Sequence, residues 1–271
     1  MPRHHHAPLY MLEQTTVRPE STPAQLAALT AGRQAWWKAR ACPHCDGIHK
    51  GWCDQEFMAM LRSDREAAAQ WARRVLDDPT CVVLDTETTG LHDGARIVEI
   101  AVLGVGGSVL FESLVNPGVP IPAEATRIHG ITDDMVKTAP AFSDLLVPLT
   151  GALLNRKVVV YNRDFDKRRL VVELHHHYRT RWVNLEKPRN GHQRIHPAAR
   201  AWLSAQSWED CAMVAYAEWC GDWTWDYEAR DNEPLYQQGD YRWQPLPGAG
   251  HRATDDCRAV VGVLKEMASS A

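Results

Sequence analysis

No apolar run in this chain of 271 residues approaches the roughly 20 residues that a membrane-spanning helix requires. The first residues, MPRHHHAPLYMLEQ, lack the apolar centre of a secretory leader, so the expectation is a cytoplasmic protein. An excess of either charge is missing too. Thirty Lys and Arg face 34 Asp and Glu, a formal net charge of −4, and the isoelectric point is near 6.3. No global field draws the molecule to nucleic acid, so any polyanion site has to be local. Cysteines are few and odd in number, 7, which fits reduced thiols, with metal binding as the exception to look for.

What is present is enough apolar material, 45% of residues, for one sizeable core with additions. Residues 1–20 read as a flexible tail. Ser21-Thr22-Pro23 is a good helix start, and helical patterns extend through residues 21–79, ending at Pro79. Then the character changes. Cys81–Thr86 reads as a strand, and Arg96–Val105 and Ser108–Val115 read as a β-pair joined through Gly106-Gly107. Lys157–Tyr161, KVVVY, is another buried strand between helices expected at Phe142–Leu154 and Arg163–His177. Residues 178–250, rich in Trp, Arg and His, carry one expected helix near Glu209–Trp219, and a last helix is expected over Thr254–Met267. The alternation predicts an α/β domain with a mixed sheet over residues 80–271.

The sharpest local feature is CVVLDTETTGL, Cys81 to Leu91. Residues two apart on a strand share a face, so Asp85 and Glu87 are neighbours on one side of it. Like charges so close raise each other's pKa unless something positive lies between them. The pair requires a cation or a proton. A second acidic group, Asp166, sits in YNRDFDKRRL, where Asn162 is a plausible cap and the first helical turn favours negative charge for ordinary reasons. A third lies in HRATDDC. His251 precedes Asp256 by five residues, about 140° on an ideal helix, so the two converge only if His251 is on the loop before the helix.

These three blocks, in this order, resemble the DEDDh family of 3′–5′ exonucleases, which includes the proofreading subunit of bacterial replicative polymerase and ribonuclease T. DTETTGL matches the first motif, NRDFD the second and HRATDD the third, with IHGIT at Ile128–Thr132 resembling the substrate-side loop. The resemblance covers roughly residues 80–268. It implies a ribonuclease H-like mixed sheet flanked by helices. It also implies release of nucleoside 5′-monophosphates from DNA 3′ ends, with RNA trimming or an idle nucleic-acid-binding or polymerase-docking module as the alternatives. The same resemblance implies two divalent ions, Mg²⁺ or Mn²⁺. Asp85, Glu87 and Asp256 would cluster at one, and Asp85 would bridge to a second served by Asp166 directly or through water. His251 would be the general base, and Thr88, His129 and Asn162 would bind substrate. Asp255 competes with Asp256, and the family spacing selects Asp256. Relatives place a longer helical stretch before the third-motif histidine, whereas YRWQPLPGAG here runs almost directly into His251. A polymerase or a second copy of the chain is the expected protein partner.

Three further features stand outside the motifs. From Arg163 to Arg200, ten Lys or Arg face four Asp or Glu, which reads either as a phosphate-tracking path or as a solvated surface of uneven charge. His175–His177 close a helix, where histidines suit the C-terminal dipole. Cys42, Cys45, His49 and Cys53 have the spacing C-x2-C-x3-H-x3-C, an adequate tetrahedral Zn²⁺ set that would join the helical patterns on either side. The alternative is three unrelated reduced cysteines in a polar loop. Elemental analysis of untagged protein is expected to find about one equivalent of zinc, lost in the Cys42→Ser/Cys45→Ser variant. Less than half an equivalent, unchanged in that variant, ends the idea.

Overall fold

The structure, a computed structural model, describes residues 54–181, 196–228 and 236–269. The expected N-terminal tail, the helix after Pro23 and the Cys42/Cys45/His49/Cys53 set lie outside the described residues. The chain divides into two compact units. One takes residues up to Arg65 with Gly221–Arg242, and the other takes Glu66–Cys220 with Trp243–Ala271.

The described elements of the larger unit begin with the C-terminal part of helix α1 (Asp54–Asp77). Strands β1 (Cys81–Thr88), β2 (Ile97–Gly104) and β3 (Val109–Leu114) follow, then short helices α2 (Ala123–His129) and α3 (Asp133–Val136). Helix α4 (Phe142–Leu153), strand β4 (Lys157–Val160) and helix α5 (Arg163–Arg181) precede α6 (Pro197–Ser204), β5 (Ser207–Cys211), α7 (Ala212–Cys220) and, after the other unit's segment, α8 (Ala253–Ser269). The five strands form one sheet in the order β3-β2-β1-β4-β5. β1 and β3 run antiparallel to β2, while β4 is parallel to both β1 and β5. This is the mixed, helix-flanked sheet of the ribonuclease H-like fold.

Period-two alternation divides the central strand residues between two main cores. Cys81, Val83, Ala101, Leu103 and Val159 pack with Trp71 and Val75 of α1, Tyr216 of α7 and Val260 and Leu264 of α8. Val82, Leu84, Ile100, Val102, Val158 and Val160 pack against Leu145 and Leu149 of α4, Leu170 and Leu174 of α5 and Ala199 of α6. β1 and β2 are therefore buried on both faces, which explains why they read as continuous apolar runs rather than as alternating ones.

Two departures from the sequence reading have clear causes. Residues 207–211 form edge strand β5, and the expected helix begins only at Ala212, because Ser207, Trp208 and Cys211 pair with β4. Residues 123–136, for which no element is read from the sequence, form α2 and α3. Gly130 in the left-handed region (φ 72) closes α2, and the Thr132 side chain caps α3.

In the smaller unit the described parts are residues 54–65 of α1 and a two-stranded ribbon of β6 (Trp223–Glu228) and β7 (Tyr236–Tyr241). The ring of Trp223 meets Phe57 and Tyr241 edge-on at 5.4 and 4.9 Å, and the Tyr241 hydroxyl donates to Asp64 at 2.7 Å. Trp223 is thus a packing residue, the role expected for most tryptophans of this segment.

α5 is fastened to the sheet by a buried ion pair. The Glu173 carboxylate, 1% exposed, accepts from Arg96 Nε and Nη2 at 2.8 and 2.7 Å and from the Ile97 N–H at 3.0 Å. Removing one partner of such a pair leaves a desolvated charge behind. Glu173→Ala is expected to lower unfolding free energy by about 3 kcal/mol in a urea titration, and Glu173→Gln by roughly half that, because the amide oxygen still accepts the Ile97 N–H.

Candidate active site

Where a parallel strand pair ends, the helix that follows must start nearby, and this brings the acidic groups together. β1 and β4 pair side by side through Val82–Val158 and Val83–Val159. α5 begins just past β4, so Asp166 lies in its first turn beside the end of β1. Asn162 caps that turn, its side-chain oxygen accepting from the Phe165 N–H at 3.4 Å and its carbonyl from the Asp166 N–H at 3.2 Å. α8 crosses the opposite face of the sheet and places Asp256 in its own first turn.

The alternation of β1 then decides which acid meets which. Asp85 and Glu87 continue the face of Cys81 and Val83, toward α8, and their carboxylate oxygens lie within 4.8 Å of each other and of Asp256. Thr86 points to the other face, where its hydroxyl donates to Asp166 Oδ1 at 2.6 Å. Asp166 is 3% exposed and Asp256 8%. Asp255, the competitor for Asp256, is exposed and forms an ion pair with Arg258 at 2.6 Å.

His251 lies on the turn before α8, exposed, with the left-handed φ of 54° that a non-glycine residue adopts only when held there. Asp256 holds it. One carboxylate oxygen, Oδ1, accepts the N–H groups of Gly250 (2.8 Å) and His251 (3.1 Å), leaving Oδ2 for the acidic cluster. The preceding segment is anchored by the Tyr161 hydroxyl, which donates to the Gln244 carbonyl at 2.7 Å, and by Leu246 packed against the core.

The three residues expected to touch substrate are placed differently from one another. Asn162 is exposed at the start of α5. Thr88 is buried and donates to the Gly90 carbonyl at 2.8 Å. His129 is 6% exposed and both ring nitrogens are engaged, Nδ1 accepting from the Ile131 N–H (3.0 Å) and Nε2 donating to the Thr88 carbonyl (3.2 Å). Burial holds its pKa below the usual imidazole value, so it is a neutral clamp between α2 and the end of β1. The basic run after Asp166 also changes meaning. Arg169 is 2% exposed and donates to the carbonyls of His92 and Ala95, so it braces the β1–β2 loop and offers nothing to a phosphate path. Arg168 is exposed and donates to the Asp164 carbonyl within its own helix.

Residues not singled out from sequence complete the site. Glu99 lies directly opposite Glu87 in the β1–β2 register and is 2% exposed, neutralised by Arg252. A lone glutamate inside IVEIAVLG was its signal. Thr86 could have been found from strand alternation alone, because it lies between the two acids and faces the other way.

The electrostatics follow from crowding. Desolvation, then the charges of Asp166, Glu87 and Asp256, push the Asp85 carboxyl well above the ordinary range. Desolvation and the neighbouring acids push Glu87 up to about 8. Desolvation pushes Asp166 to about 7 in spite of the Thr86 hydrogen bond. All the donors are hard oxygens, and a divalent cation removes the repulsion that burial amplifies. The residues fit Mg²⁺ or Mn²⁺.

With the geometry in place, the relatives can be stated. The family described as Exonuclease matches residues 82–190. Over 212 residues the chain is 34% identical to a protein of Escherichia phage 186 named "Uncharacterized exonuclease CP81", covering 74% of this chain and 93% of that one. Over 103 residues it is 45% identical to a DNA polymerase III subunit epsilon-like protein of Rhodobacter capsulatus, covering 35% of this chain and 14% of that longer protein. Among solved structures, exonuclease X bound to 5′-overhanging duplex DNA matches with 24% identity and a TM-score of 0.40, over 69% of this chain and 90% of that one. The chain belongs to the DEDDh exonuclease family. It is a phosphodiester hydrolase of the 3′–5′ exonuclease class.

The raised carboxyl values set the sign of a pH effect. Between the ordinary carboxylate range and about pH 8 the folded protein retains protons that the unfolded chain has released, so without divalent ions stability falls as pH rises through that window. A cation replaces those protons. Thermal melts with and without Mn²⁺ are therefore expected to diverge as pH rises from 5 to 8, each tenfold excess over Kd adding about 1.4 kcal/mol. A metal-induced shift that is the same at both ends of the range would contradict this assignment.

Proposed function

We propose that this protein is a divalent-metal-dependent exonuclease that removes nucleoside 5′-monophosphates from DNA 3′ ends, with residues 80–271 carrying the catalytic domain. The observation that supports this most directly is the meeting of Asp85, Glu87 and Asp256 within 4.8 Å at the end of β1, with Asp166 joined to the same strand through Thr86. All four, and His251, belong to the larger unit.

In this reading Asp85, Glu87 and Asp256 hold one cation and Asp166 serves a second. When bound, Mg²⁺ or Mn²⁺ supplies Lewis acidity and neutralises charge on the phosphodiester. The rest is done by the chain. His251, exposed on its turn, takes the proton of the attacking water, the general-base role that histidine most often fills. Asp256 fixes the backbone of that histidine through Oδ1, so the base and the metal-side carboxylate move as one piece. Asn162, exposed at the start of α5, is the candidate contact to the nucleotide. The preference for DNA rests on the relative named for the epsilon subunit of DNA polymerase III, which also makes a polymerase the protein partner to test.

Matched DNA and RNA oligonucleotides, labelled at the 3′ or the 5′ end, test the reading. DNA labelled at the 3′ end is expected to release its label at once as a mononucleotide, and DNA labelled at the 5′ end to shorten stepwise. EDTA is expected to abolish both. Asp85→Ala, Glu87→Ala, Asp166→Ala and Asp256→Ala each lose nearly all activity, whereas His251→Ala lowers turnover by about 10²–10⁴-fold and leaves DNA binding largely intact. Activity that survives exhaustive EDTA sinks the metal reading, and faster degradation of RNA reverses the substrate assignment.

A further inference from the structure

Glu99 poses a problem that the catalytic set does not solve. It is a carboxylate, 2% exposed, on the same face of the sheet as Glu87 and directly across the β1–β2 ladder from it. Like charges directly opposite each other destabilise a sheet, and an acid here has the position of a further cation ligand. It is nevertheless absent from the group of mutually close ligand atoms formed, among the described residues, by Asp85, Glu87 and Asp256.

Its oxygens are already taken. Oε1 accepts from Arg252 Nη2 and, at 3.1 Å, from Arg252 Nε. Oε2 accepts from Arg252 Nε at 3.0 Å and from the Ala253 N–H at 2.9 Å. The same two residues, Arg252 and Ala253, directly follow His251. A guanidinium fork and a helix-initiating N–H thus fasten the start of α8 to β2, one residue after the strained His251 backbone. Thr254 adds a parallel tie one residue on, its hydroxyl donating to Glu112 of β3 at 2.7 Å.

We infer that Glu99 and Arg252 form a positioning pair that withholds a further carboxylate from the cation cluster and clamps the His251 turn onto β2. Neither residue touches the reacting atoms. Each acts through the other and through its neighbour: Glu99 through Glu87, Arg252 through His251. The two charges also oppose each other beside the cluster: the Glu99 carboxylate lies directly across the ladder from Glu87, and the Arg252 guanidinium is bound to that carboxylate. Removing one partner therefore unmasks the other, and the two removals must act on the cation in opposite directions. A pair that only stabilised the fold would not behave in this way.

The inference rests on the metal-centre reading above, so the test separates the two. Mn²⁺ is titrated by calorimetry at pH 8 into the full-length protein, with Asp85→Asn as the control. Arg252→Gln, which leaves Glu99 uncompensated beside Glu87, is expected to bind Mn²⁺ roughly tenfold more tightly, and Glu99→Gln, which frees the guanidinium charge, roughly tenfold more weakly. The double variant Glu99→Gln/Arg252→Gln, an amide pair without net charge, is expected to return to about the wild-type value. Arg252→Lys keeps the charge and loses the fork, so its Mn²⁺ affinity stays near wild type while kcat drops by about tenfold with little change in KM. Both single glutamine variants shifting affinity in the same direction would overturn the inference, as would Arg252→Lys with undiminished kcat. A wild type that binds no Mn²⁺, indistinguishable from Asp85→Asn, overturns the metal-centre reading and this inference with it.

Discussion

Repulsion among carboxylates at the end of β1 is the constraint on which the rest of the molecule turns. Three acids meet within 4.8 Å on one face of the strand, a fourth is bound to the residue between two of them, and a fifth lies across the ladder. A cluster of that kind is unstable in a soft scaffold, because each group gains by moving away. Here none can. β1 is central in the sheet and buried on both faces through Leu84, so the strand that carries Asp85 and Glu87 has nowhere to relax.

The helices supply the remaining restraint, and each is secured to the sheet by a buried carboxylate that an arginine binds. Glu173 ties α5 to Arg96 and to the start of β2, fixing Asp166 against Thr86. Glu99 ties the start of α8 to β2, fixing Asp256 and His251. Two of the buried acids in the larger unit, Glu173 and Glu99, are thus neutralised by arginines and hold the frame, while Asp85, Glu87 and Asp166 keep a raised proton affinity. The division of labour among chemically identical groups is made by arginine placement. A carboxylate with a guanidinium fork is structural, and one without it can take a metal ion.

His129 illustrates the same economy of position. In the sequence it is a histidine in a loop near the motifs, equally suited to a phosphate or to a turn. In the fold its two nitrogens join α2 to the end of β1, and burial keeps it neutral. A cationic histidine there would add a charge beside the cluster that the cluster does not use.

The amino-acid sequence made four strands of the sheet and the acidic set legible. Val82–Leu84, the run from Ile97 to Val105 and KVVVY are unambiguous because strands buried on both faces leave dense apolar runs. The motif acids stand out because charge at the end of such a run is expensive without a purpose. It also located the first-turn positions of Asp166 and Asp256, since the caps and strand ends that start α5 and α8 are local features. It did not determine β5 and the β6–β7 ribbon, whose strands exist through pairing with distant partners and carry weak local patterns. Nor could it separate the acids that arginines bind from those left crowded together, or show Arg169 turned inward. These points were settled by the fold, because whether a charge meets an arginine, a carbonyl or another carboxylate depends on which strand lies opposite and which helix crosses above it.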